Sequence, residues 1–233
     1  MSLQWHNGPG LPAVATGMNE RRTIFRQEST LTMYPIDATS YRSVKGFNSR
    51  VRFLIMHYTA VDFAGSVRAL SSDAAFSAWA GRNNLNDTSI GIENVNLASV
   101  KNGKLIFPPY HPVQIAAIIQ LAQDILQRYP DITPTQIIGH SDVAPGRKFD
   151  PGAAFPWQTL FTAGIGAWFD EATKQYYLDE FAGQGLPDQA AIIGKLKAYG
   201  YNTSGATDAS VYKNLIQAFP TAFPPRRLAG HSG

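Results

Sequence analysis

Val51-Arg52-Phe53-Leu54-Ile55-Met56 is short, mostly apolar and rich in β-favouring residues, and His57 stands at its C-terminal end. Such a run predicts a buried strand. Working outward, Thr88 to Val95 (Thr-Ser-Ile-Gly-Ile-Glu-Asn-Val) predicts a second strand, with Ile90 and Ile92 on one face and Gly91 and Glu93 on the other. Gln136 to Gly139 predicts a short third strand that delivers His140. Between the second and third lies the clearest helix, Pro112 to Tyr129. Pro112 suits a first helical turn, Ile115, Ile118, Ile119, Ala122, Ile125, Leu126 and Tyr129 repeat at helical spacing, and Pro130 stops the run.

The flanks read differently. Residues 1 to 40 carry Gly8-Pro9-Gly10, Pro12 and Gly17 with no sustained period, which predicts an extended, loop-rich arm. A Gly, Pro and Asp-rich loop runs from Asp142 to Gly152. After Trp157 the pattern predicts short helices over 169–181, 186–199 and 209–219, joined by polar or Gly-rich stretches. Three parts follow: an arm at 1–40, a main domain at 41–170 and a small all-helical module at 171–233.

Composition narrows the chemistry. The 233 residues are 44% apolar and 16% charged, the profile of a folded globular protein. A net charge of +3, with no basic run beyond Arg21-Arg22 or Arg226-Arg227, argues against a nucleic-acid surface. With no cysteine, disulfides and thiolate chemistry are excluded, and any metal must sit on His, Asp or Glu. The longest apolar stretches are interrupted by Gln and Asp, so no transmembrane helix is expected, and the N-terminus lacks the basic-then-apolar pattern of a signal peptide.

Three possible ligands stand at strand ends or in the loop beside them: His57, His140 and Asp150. Strand ends converge at one rim of a sheet. Two imidazoles and one carboxylate leave a fourth tetrahedral position open, as a catalytic zinc requires. By pattern alone a hydrogen-bonded structural histidine is the alternative reading, and Asp142 competes with Asp150 as the carboxylate. Asp142 also suits an Asx-turn in the loop, or a place behind His140 that orients it. His6, His111 and His231 read as exposed residues unrelated to a metal.

Three ordered blocks carry a resemblance. His57-Tyr58-Thr59, Asn86-Asp87-Thr88-Ser89-Ile90-Gly91-Ile92-Glu93 and Gly139 to Gly152 (Gly-His-Ser-Asp-Val-Ala-Pro-Gly-Arg-Lys-Phe-Asp-Pro-Gly) resemble the signature blocks of the type 2 N-acetylmuramoyl-L-alanine amidases. The resemblance implies an α/β fold with a mixed central sheet flanked by helices, and a groove over one zinc ion. It implies His57, His140 and Asp150 as ligands, Glu93 and Lys148 as catalytic groups, and Tyr58 and Asn86 as groove residues. The reaction implied is hydrolysis of the amide between N-acetylmuramic acid and L-alanine, with peptidoglycan or muropeptides as partner and a monomeric, periplasmic enzyme, outer-membrane association resting on a segment that this chain does not contain.

The chain departs from the family pattern between the first and second blocks. Val61 to Leu85 spans 25 residues and lacks the Ser-Ala-His-Tyr-like and Trp-His-Ala-Gly-like segments expected there. Phe149 stands where a small polar residue is common. A rival reading is therefore a peptidoglycan-recognition protein that binds without cutting. Leu186 to Phe219 resembles the opening helices of a peptidoglycan-binding module, with a helical bundle that packs on the main domain as the alternative.

Overall fold

The computed structural model describes residues 51–62, 77–83 and 85–222. The predicted arm at 1–40 lies outside them, as do His6 and His231. The described residues all fall within one compact unit.

Three parallel strands make the central sheet in the order β4-β1-β7: β1 is Phe53–Tyr58, β4 is Ser89–Asn94 and β7 is Ile137–Gly139. Within the described residues this sheet holds parallel pairings alone. Antiparallel pairing occurs in two separate ribbons, β2 (Ala78–Trp79) with β3 (Arg82–Asn83), and β5 (Ser99–Lys101) with β6 (Lys104–Ile106). The physical reason is connection length, because only two-residue turns join the ribbon strands, whereas parallel neighbours need long crossovers.

Both faces of the sheet are covered, which explains the near-continuous apolar run of β1. Leu54, Met56, Ile92 and Ile137 point to one face, where they pack with Ile118, Ala122 and Ile125 of α1 (Pro112–Arg128). Phe155 and, from α3 (Trp157–Thr162), Trp157 and Leu160 complete that core. Phe53, Ile55 and Ile138 point to the other face, against Leu85, Trp79, Leu196 of α5 (Gln189–Tyr199), Tyr201, and Leu215 and Ala218 of α6 (Ala209–Ala222). The C-terminal helices are thus the second cover of the sheet. A four-residue helix α2 (His140–Val143) follows β7 directly and turns Val143 into the same core.

Helix starts are set by capping residues. His111 caps α1, its ring accepting from Val113 N–H. Asp170 caps α4 (Glu171–Gln184) and Asp188 caps α5, each accepting from a backbone amide three residues on, at 2.7 and 2.8 Å. These two aspartates move the starts of α4 and α5 inward from the predicted Phe169 and Leu186, since an N-cap side chain satisfies amides that would otherwise lack a partner.

Candidate metal centre and active site

The register of the parallel sheet assembles the site. His57 stands beside Glu93 across β1 and β4, and Met56 pairs with Gly139, so His140 follows at the level of His57. Gly91, Glu93 and His57 share the face that the C-terminal helices cover. A side chain at Gly91 would place its Cβ 3.1 Å from His57 Cδ2 and Nε2, so glycine leaves the room that the imidazole occupies. Asn94, buried behind β1, donates from Nδ2 to the carbonyls of His57 at 2.8 Å and Ile92 at 3.1 Å.

The third ligand candidate returns to this rim on the 144–152 loop. Ser141 N–H donates to the Asp150 carbonyl at 2.8 Å, pinning that residue beside His140. Tyr110 donates its hydroxyl to the Pro151 carbonyl at 2.9 Å. Phe107 also packs on the loop, for a Cβ at Gly152 would overlap its ring.

The outcome is three donor atoms in mutual contact. His57 Nδ1 lies 3.0 Å from His140 Nδ1 and 3.0 Å from Asp150 Oδ2, and His140 Nδ1 lies 2.9 Å from the same carboxylate oxygen. Neutral imidazoles have one N–H each, so two nitrogens and an anionic oxygen aimed at one point suit a single shared cation. A tetrahedral zinc with bonds of about 2.0–2.1 Å would separate its ligand atoms by roughly 3.3 Å, within a few tenths of what is seen. The residues present fit the ion. Among the described residues this is the cluster of His, Asp and Glu placed to hold a metal.

Electrostatics agree with that geometry. Burial alone would raise the Asp150 pKa, but hydrogen bonds and charge interactions with His140 and His57 outweigh it and hold the carboxyl well below the usual range. Glu93 is raised instead: burial of its carboxyl dominates and Asp150 adds to it, against the lowering effect of His57, His140 and Lys148. Burial and the Asp150 charge push the Tyr58 and Tyr110 phenols up, so both stay protonated near neutral pH.

Of the residues anticipated, His57, His140, Asp150, Glu93, Lys148 and Tyr58 come together here. Asn86 does not. It sits exposed in the turn Leu85–Asp87 that precedes β4, whereas Glu93 is near the far end of that strand. Four residues of strand alone separate Ser89 from Glu93 by about 13 Å. Asp142 takes neither ligand position; it accepts from Gly139 N–H at 2.9 Å, the bond that closes the first turn of α2. Tyr110, Asn94 and Phe107 escaped sequence reading, because their contacts cross from one element to another and no local pattern announces them.

Comparison with known proteins points the same way. Residues 71–153 match the N-acetylmuramoyl-L-alanine amidase family, Amidase_2; the match includes Glu93, His140, Lys148 and Asp150 and begins after His57. The N-acetylmuramoyl-L-alanine amidase AmiD of Escherichia coli K12 is 35% identical over 225 aligned residues, covering 82% of this chain and 81% of that protein. AmpDh3 from Pseudomonas aeruginosa, solved in complex with anhydromuramic pentapeptide, is similar with a TM-score of 0.70 and 42% identity, over 82% of this chain and 89% of that one. AmiD from E. coli, solved with anhydro-N-acetylmuramic acid-L-Ala-D-gamma-Glu-L-Lys, gives a TM-score of 0.69 at 34% identity, over 82% and 87%. With the likeness extending through the ligand strands into the C-terminal helices, the chain belongs to the N-acetylmuramoyl-L-alanine amidase family.

Proposed function

We propose that this chain is a zinc-dependent hydrolase of the amide bond joining N-acetylmuramic acid to L-alanine in peptidoglycan or muropeptides. The observation that carries the proposal is the meeting of His57, His140 and Asp150 at one point beside Glu93, in a member of this family. Anhydromuramyl peptides are the first substrates to try, because the AmpDh3 and AmiD structures above hold such ligands.

His57, His140 and Asp150 would hold the ion. When bound, zinc supplies Lewis-acid polarisation of a carbonyl and makes water acidic enough to react near neutral pH. Glu93 takes the proton of the attacking water as the new C–O bond forms at the lactyl carbonyl carbon, and passes it to the alanine nitrogen as the C–N bond breaks. Its raised pKa suits both halves of that transfer. Lys148, two residues before Asp150 and near enough to lower the Glu93 pKa, offers a cation to the carbonyl oxygen as negative charge builds there. Tyr58, kept protonated by burial and by Asp150, lines the same rim.

The same reading places a monomeric enzyme in the periplasm. Among the described residues no helix is long and apolar enough to cross a membrane. The short 61–85 segment favours one rival, a recognition protein that holds muropeptides without cutting them. Zinc-loaded protein incubated with an anhydromuramyl tripeptide is expected to release free peptide, and chelation to stop the release. Folded, zinc-loaded protein that retains sacculi yet releases nothing would install the rival instead.

A further inference from the structure

We infer that Tyr201 is a positioning residue for the metal centre, through which the C-terminal part of the chain supports the short helix that bears His140. This rests on the zinc reading above.

Asp142 is 2% exposed, and both of its carboxylate oxygens are engaged. Oδ2 accepts from Gly139 N–H at 2.9 Å, and Oδ1 accepts from the Tyr201 hydroxyl at 2.5 Å. Gly139 is the residue before His140, and it is held closely: a Cβ there would meet Pro151 Cδ at 2.9 Å and Asp142 Oδ2 at 3.2 Å. Pro151 in turn follows Asp150. One buried carboxylate therefore grips the backbone that bears one ligand, beside the residue next to another.

Tyr201 is itself held in place by packing and by its neighbours' hydrogen bonds. Its ring packs 4.7 Å from that of Trp79, the Trp79 indole N–H donates to the Thr135 carbonyl at 3.1 Å, and Ala80 N–H donates to the Gly200 carbonyl at 2.7 Å. Gly200, at φ +140°, lets the chain pass the indole, since a Cβ there would lie 2.4 Å from Trp79. A second brace comes from α6, whose Asn214 side chain fills the space beside Gly146, at 2.3 Å from where a Cβ would be. Two ligands thus sit on a four-residue helix and a loop, elements with little stiffness of their own, while the C-terminal part of the chain holds the helix through Tyr201 and the loop through Asn214.

The test is zinc affinity of the full chain by competition with a chromophoric chelator, at a temperature where circular dichroism shows every variant folded. Tyr201→Phe is expected to bind zinc several-fold more weakly, up to about the tenfold that losing a group bonded directly to a ligand costs at the low end, because Tyr201 acts one step further out. Asp142→Asn should stay close to wild type, because its amide oxygen still accepts from Gly139 and its NH2 group donates to Tyr201. Leu160→Ala opens a cavity in the core on the other face of the sheet, away from this bond and from α6, and should leave zinc affinity unchanged. Wild-type affinity in Tyr201→Phe, or equal weakening in Leu160→Ala, would overturn the inference, the latter by making the effect general loosening. A wild-type protein that takes up no zinc would bring down the metal reading itself, and the inference with it.

Discussion

The two faces of the central sheet are covered by different kinds of sequence. One face meets α1, a 17-residue helix whose buried Ile118, Ala122 and Ile125 form a continuous stripe. The other meets pieces drawn from Trp79 to Ala218, with Leu196, Tyr201, Ala206 and Leu215 each supplied by a separate short stretch. A long amphipathic helix declares its buried side locally. An assembled face is specified only by contacts between distant residues, and it is this face that carries Gly91, Glu93 and His57 in register. The chemistry leans on the less legible side of the molecule.

The assembled face is most sensitive at Glu93. Glu93→Gln is expected to lower turnover by about 10²–10⁴-fold, the range for removing a positioned acid–base group, while zinc content stays at the wild-type level. The base must be ionised, and burial raises its pKa, so wild-type activity should climb with pH across a limb lying above the ordinary carboxylate value. That limb should vanish from the residual activity of Glu93→Gln. Full turnover in the variant would detach the reaction from this face.

Next in size is a matched pair of cavities. Leu54→Ala on the α1 side and Leu215→Ala on the α6 side remove residues that are 0% and 1% exposed. Each is expected to lose about 2–5 kcal/mol in denaturant unfolding, with a single transition. A much smaller loss for Leu215→Ala, or a separate first transition, would show that the C-terminal helices are an appendage and not a second cover.

Smaller again is Gly91→Ala. The new methyl would press on the His57 ring at 3.1 Å, so zinc affinity should fall about tenfold with little change in the secondary structure seen by circular dichroism. Unchanged affinity would mean that the ring has room to move and that the assembled face tolerates more slack than its packing implies.

How far the sequence was legible follows the same division. The strands, α1 and the ligand candidates could be read because an apolar run ending in His57, and another ending ahead of His140, are local signals that strand ends convert into proximity. Strand alternation set the face of Glu93, opposite to that of Ile92, but its catalytic role was implied by the resemblance of its block alone. Asn86 illustrates the opposite: membership of the same block suggested nearness, yet a residue three positions ahead of β4 lies at the other end of the strand from Glu93. Tyr201 bonds to a residue 59 positions away, and nothing near it in the chain predicts that partner. The starts of α4 and α5 were recoverable in principle, because Asp170 and Asp188 are capping residues, but the apolar pattern drew attention to Phe169 and Leu186 instead.

The most direct measurement is anomalous diffraction at the zinc absorption edge from crystals of the zinc-loaded chain. The predicted result is one peak bonded to His57 Nδ1, His140 Nδ1 and Asp150 Oδ2 at about 2.0–2.2 Å. No peak among these three side chains, or a peak held by other residues, would contradict the assignment of the metal centre.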